Sequence, residues 1–190
     1  VVVLVSDAGT PLISDPGYKL VRAAREAGIA VSTAPGASAV IAALSISGLP
    51  TDRFLFAGFL PSKAKARSDA IAEIGNVKST LVFYESGQRL GATLAALAEQ
   101  LGGREAVVAR ELTKKFEEVV SGTLPELAER YAEVEPKGEI VLIVGPPGEV
   151  QAEQGDYEAA LKDALQTLPP AKAAKDIAKR FGVDRAEVYE

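Results

Sequence analysis

Neither cysteine nor histidine occurs anywhere in this chain of 190 residues. Without cysteine there can be no disulfides, thiolate nucleophiles, Cys-bound zinc or iron-sulfur clusters. Without histidine, a Ser-His-Asp relay and most transition-metal sites are excluded as well, and no metal is expected. Carboxylates, Lys, Arg, Tyr and backbone dipoles remain as tools, so chemistry run by this chain should lean on a cofactor that carries its own reactivity. Methionine is also missing, including at position 1, and the sequence opens in the middle of an apolar run. The expectation is that a further piece precedes it. No apolar run approaches the roughly 20 residues that span a bilayer, and no charged-then-apolar leader is seen, so a cytoplasmic protein with no membrane partner is expected. A net charge of -5 gives no global attraction to nucleic acid, and any RNA contact must come from a local patch. With 47% hydrophobic and 25% charged residues, the chain can bury the core of one large or two small domains.

What is present begins with Val1 to Val5, an unbroken apolar run that reads as a parallel strand buried on both faces. It runs into a small-residue loop, Ser6-Asp7-Ala8-Gly9-Thr10-Pro11. Asp15 is expected to cap a following helix with Pro16 at its first position. Strand, loop and capped helix place a ligand at the carboxyl end of a sheet, where Gly9 lets backbone come close and Asp7 offers a carboxylate. A tight structural turn uses the same residue types. Leu20, Val21 and Ala24 give helical spacing over 17–27, Ile29 to Thr33 reads as a second strand, and Ala34 to Ala39 is a second small-residue loop before an apolar helix. Two such units imply parallel pairing, with both loops at one edge.

Leu49-Pro50-Thr51-Asp52 breaks the pattern. Phe54 to Phe59 and Ser79 to Tyr84 read as strands, with Lys63, Lys65 and Arg67 between them. Leu90, Leu94, Leu97 and Leu101 form a core stripe on a helix ended by Gly102-Gly103. Strands are expected at Glu105 to Ala109, Phe116 to Ser121 and Ile140 to Val144, and a helix at Leu124 to Glu133. Three regions follow: 1–50, the remainder of an N-terminal α/β lobe; 51–148, a second α/β lobe; and 149–190, a linker and a helical domain. In the last, Ala174, Ile177, Ala178 and Phe181 share one face and Lys172, Lys175 and Lys179 another. Gly182-Val183 then turns the chain toward a helix capped at Asp184, a helix-turn-helix outline that a plain helical hairpin also fits.

Eight stretches carry more than composition can. SDAGTPLISDPG at 6–17, APGASA at 34–39, ISGLP at 46–50, FAGFLP at 56–61, LVFYES at 81–86, ARELTK at 109–114, SGTL at 121–124 and KGEIVLIV at 137–144 occur in this order. Together they resemble the tetrapyrrole methylase superfamily, and within it the methyltransferases of ribosomal RNA. The resemblance implies a two-lobed α/β fold, its N-terminal lobe incomplete here, plus a small C-terminal helix-turn-helix-like domain. It implies S-adenosylmethionine as cofactor, 2'-O-methylation of a cytidine ribose in the 16S rRNA of the small ribosomal subunit, and a homodimer. By the same resemblance, Asp7, Ala8, Gly9 and Thr10 form one cofactor loop and Ser38 and Ala39 a second. Tyr84, Glu85, Leu112, Thr113 and Gly138 supply further cofactor contacts. Two departures stand out: the family's opening strand with its Pro-Ile-Gly-Asn loop is not in this sequence, and Gly87-Gln88-Arg89 replaces a usual Pro-His-Arg.

A ribose hydroxyl is a weak nucleophile, and a positioned base would add about 10²- to 10⁴-fold. Glu111, Glu85 and Glu139 are the candidates; Glu111 is preferred, against an ion pair with Arg110 or Lys114 that merely orders the loop. Arg89, Arg110, Lys114 and Lys115 are expected to hold RNA phosphate, as against an ordinary solvated face. A superfamily member acting on a tetrapyrrole or other small acceptor, and a catalytically incomplete RNA-binding fragment, are the alternative readings.

Overall fold

The computed structural model describes residues 1–148, 156–166 and 168–181. By internal contacts the chain divides into two compact units, Val1–Pro146 and Pro147–Glu190.

The first unit is organised by a five-stranded mixed sheet of β1 (Phe54–Phe59), β2 (Thr80–Ser86), β3 (Glu105–Arg110), β4 (Glu118–Thr123) and β5 (Glu139–Val144), in the order β1-β2-β5-β3-β4. β1 and β2 are parallel, and the other neighbours are antiparallel. β1, β2 and β3 therefore point the same way. Their last residues lie at one edge with the first residues of β4 and β5, as the pairs Ser86 with Glu139 and Arg110 with Glu118 show.

The period-2 alternation of a strand assigns the faces. Leu81, Phe83, Ala106, Val108, Ile140, Leu142 and Val144 pack with Leu90, Leu94 and Leu97 of α4 (Gly87–Leu101), with Ile71 of α3 (Ala64–Ile74) and with Leu124 and Leu127 of α5 (Leu124–Arg130). The alternate residues Val82, Val107, Ala109, Val141 and Ile143 pack against Val40, Ala43 and Leu44 of α2 (Ala39–Ser47). The leucine stripe lies in the core as its spacing predicts. α5 opens on a capping box of Thr123 and Glu126.

The N-terminal fifty residues differ from the sequence reading. Val1 to Val5 and Ile29 to Thr33 form no strands. A strand is held by a hydrogen-bonded neighbour, and neither segment has a ladder partner among the described residues. Val1, Val2, Val3 and Val5 stand exposed accordingly. α1 (Tyr18–Glu26) starts after Gly17, not at Asp15-Pro16, and has no side-chain cap. The backbone takes positive φ at Leu12, Ser14 and Gly17, so the chain is still turning where a helix was expected to begin.

In the second unit, α6 (Asp156–Leu165) and α7 (Pro170–Phe181) pack through Ala174 and Ile177 against Ala160, Leu161 and Ala164. Lys172 and Lys175 are exposed, opposite that seam. The side chains of Lys179 and Phe181, and the turn and last helix expected from Gly182, lie outside the described residues.

Candidate active site

The ends of β1, β2 and β3 and the starts of β4 and β5 meet at one edge of the sheet in the first unit. Tyr84 is the pivot. Its place in the strand alternation turns it toward the α2 face, where Phe56 meets it edge-on at 4.9 Å between centroids and Phe59 at 5.6 Å. Burial first, then the negative charges of Asp15 and Glu139, push the Tyr84 phenol up from its ordinary value, so it stays a neutral hydroxyl. β5 runs beside the ring's strand, with Val141 paired to Tyr84. The first loop lies against the end of β1, where the register shifts between Phe56 and Gly58: a Cβ on Gly58, itself at φ 66°, would make an ordinary contact of 3.5 Å with Ser14 Oγ.

The two small-residue loops meet, although the strands expected to carry them do not form. Thr10 Oγ1 donates to the carbonyl of Ala37 across 3.0 Å. Ser6 Oγ donates to the carbonyls of Ala8 and Gly9, closing the first loop on itself. Gly9 sits at φ 67° with the Ala37 carbonyl 3.6 Å from where its Cβ would be. Ser38 is half-buried, while Asp7, Ala8 and Ala39 are exposed. The Asp7 carboxylate has no partner among the described residues. These groups suit a polar ligand: a carboxylate that accepts, loop backbone that both donates and accepts, and a half-buried ring.

The third group forms beyond β3. Glu111 and Thr113 take φ of 50° and 65°, which cost non-glycine residues about 1–3 kcal/mol each and persist only where the surroundings over-determine them. They do here. Glu111 N–H donates to the Glu139 carbonyl at 2.9 Å, and the Glu139 N–H returns a bond to Glu111 Oε1 at 3.0 Å. Lys114 Nζ reaches Glu111 Oε1 and Glu139 Oε2, each at 2.9 Å, and the Thr113 N–H donates to the Glu117 carboxylate. Arg110 binds the Lys137 carbonyl and pairs with Glu118. Leu112, half-buried, packs on the α2 face, and Thr113 is exposed. Gly138 at φ 105° fits under this group: a Cβ would lie 2.5 Å from the Glu111 side chain. The Glu139 N–H, and next the Lys114 ammonium, hold the Glu111 carboxyl below its usual range; Glu111 and then Glu139 hold Lys114 above its own.

Glu85 faces the opposite way, 3% exposed, toward α4. Its carboxylate accepts from Thr93 Oγ1 at 2.7 Å and from the Ser86 N–H at 2.9 Å, and pairs with Arg89 at 3.3 Å. Arg89 also donates to the Leu60 carbonyl. Of the four cations expected at RNA, three thus have protein partners, and Lys115 has no ion pair among the described residues. Sequence reasoning missed Phe56, Phe59 and Thr93, which shape this edge; alternation around Tyr84 was the available signal for the two rings. Among the described residues no helix is long and apolar enough to cross a membrane, and no group of three metal-ligating side chains occurs.

The model of the family Tetrapyrrole (Corrin/Porphyrin) Methylases matches residues 1–128, and that of the RsmI C-terminal HTH domain matches 151–190. The chain is 49% identical over 190 residues to the Ribosomal RNA small subunit methyltransferase I of Mesorhizobium japonicum, covering 99% of this chain and 65% of that protein. It is 55% identical over 169 residues to the protein of the same name from Erythrobacter litoralis, covering 89% and 60%. The chain therefore spans somewhat under two thirds of the length of both. In fold it is similar to the crystal structure of the methyltransferase CobJ, with a TM-score of 0.53 at 21% identity over 73% of this chain and 62% of that one.

Proposed function

Because this chain belongs to the tetrapyrrole (corrin/porphyrin) methylase family, we propose that it forms the greater part of an S-adenosylmethionine-dependent methyltransferase acting on small-subunit ribosomal RNA. The acceptor in this reading is a cytidine ribose 2'-hydroxyl of 16S rRNA, reached in the cytoplasm by a homodimer. The observation that carries it is the Thr10 to Ala37 hydrogen bond, which joins the two small-residue loops.

Bound there, S-adenosylmethionine would supply an electrophilic methyl group on a sulfonium, so that the protein's work is alignment and exclusion of water. In this reading Asp7 accepts hydrogen bonds from ligand hydroxyl or amino groups, and Ala8, Gly9, Thr10, Ser38 and Ala39 offer backbone. The Tyr84 ring supplies a flat half-buried wall, and Glu85 holds the end of β2 from behind. Leu112, Thr113 and Gly138 close the far side. A general base works best with a pKa near the operating pH. Glu111, already accepting two bonds and held below its usual range, is poorly matched to that work. We assign it the fixing of Leu112 and Thr113 instead. Regions 1–50 and 51–148 would act as the two lobes around the cofactor, and 149–190 as a helical domain that docks on folded RNA.

Similarity to relatives named for ribosomal RNA supports this acceptor over a tetrapyrrole. Incubation of the protein with small ribosomal subunits and methyl-labelled cofactor should place label on 2'-O-methylcytidine after nuclease digestion. Label on a small molecule, or none on RNA, would contradict it.

A further inference from the structure

The loop between β3 and β4 ends in an aromatic ring that the fold does not use. Phe116 is 64% exposed and belongs to neither hydrophobic cluster of the first unit. Its neighbour Lys115 places Nζ 5.6 Å from the ring centroid. Around this pair the loop is firmly built. Lys114 N–H and Glu117 N–H donate to the carbonyls of Glu111 and Lys114, and Lys114 Nζ ties the loop to Glu139. The nearby acids are engaged as well, Glu117 by the Thr113 N–H and Glu118 by Arg110. What the loop leaves free is one flat apolar face and one positive charge, at the same sheet edge as Tyr84.

We propose that Phe116 is a stacking platform for an unpaired base of the RNA substrate, with Lys115 beside it for the adjoining phosphate. This deepens the ribosomal RNA reading and rests on it. Sequence-specific RNA contacts are made mostly to unpaired nucleotides, whose bases stack on aromatic rings, and a cation at the ring adds attraction to the backbone. A loop ordered in advance loses little freedom when the base arrives. Net charge argues for this mode over a phosphate-tracking groove: at -5 overall, a stacked base gives affinity that electrostatics alone would not.

The chain has no tryptophan, so Phe116→Trp introduces a single indole at the platform. A cytidine-containing single-stranded segment of 16S rRNA, titrated into that variant, should quench indole emission, and Phe116→Trp should bind as the native protein does. Phe116→Ala should bind the same RNA roughly 5- to 150-fold more weakly, the range for one stacked base, while binding S-adenosylmethionine normally. RNA binding that is unchanged in Phe116→Ala, with no quenching in Phe116→Trp, overturns the platform and leaves the RNA reading standing. Loss of binding to intact small subunits without loss on naked RNA also overturns it and points to a ribosomal protein as the partner. Absence of RNA binding by the native protein, naked or in subunits, overturns both.

Discussion

The Gly138 Cα hydrogen faces the Glu111 carboxyl so closely that a methyl group in its place would lie 2.5 Å from Glu111 Cγ, Cδ and Oε1. The fit lets the Glu139 N–H reach the Glu111 carboxylate and sets the backbone of Leu112 and Thr113. A second relationship, the hydrogen bond from Thr10 to the Ala37 carbonyl, joins the two N-terminal loops.

Gly138→Ala should therefore disturb the site twice, through positive φ and through displacement of Glu111. Backbone strain and overpacking at such a position typically cost about 1–3 kcal/mol each. Thermal denaturation should show a loss in that range, and Glu111→Ala in the same chain should recover the part due to contact while leaving the φ penalty. Equal losses in both backgrounds would show that the contact is unimportant.

Thr93→Val should leave the buried Glu85 carboxylate one donor short. The expected loss is about 1–3 kcal/mol, the usual penalty for a buried polar group deprived of its partner. Denaturant titration with an unchanged m-value would register it as a shift in midpoint. A neutral result would mean that Ser86 N–H and Arg89 suffice.

The group of Glu111, Lys114 and Glu139 predicts a pH dependence with two limbs. Glu111 titrates below its ordinary 4.5 in the folded chain, so its contribution is full above that value and disappears as pH falls through the folded value. Lys114 titrates above its ordinary 10.5, so its contribution is full below that value and disappears as pH rises through the folded one. The melting-temperature difference between native protein and Glu111→Gln should be constant near neutral pH and shrink in acid. A difference that persists unchanged in acid would remove Glu111 from the account.

Much of the sheet was legible because its strands are buried on both faces and read as continuous apolar runs, Leu81 to Tyr84 and Ile140 to Val144 among them. The leucine stripe of α4 was legible for the same reason at helical period. Val1 to Val5 carries the same apolar signature and forms no strand, because composition marks a segment as fit for a sheet and only a ladder partner makes it one. Loop positions could be pointed to by motif, but not the geometry that joins them: Thr10 and Ala37 are 27 residues apart, and no local pattern encodes a hydrogen bond across that span. The positive φ of Glu111 and Thr113 was equally invisible, since both residue types normally avoid it. Phe116 read as the start of a strand; β4 begins two residues later, at Glu118, and this shift is what leaves the ring on the loop.

Calorimetric titration of the protein with S-adenosylmethionine, compared with the Thr10→Val variant, tests most directly whether the two loops and Tyr84 form one cofactor wall. Native protein should bind at one site per chain, and Thr10→Val, lacking the bond to Ala37, should bind about 2- to 12-fold more weakly, as expected for one net hydrogen bond. No binding by the native protein, or identical affinities for the two, would contradict it.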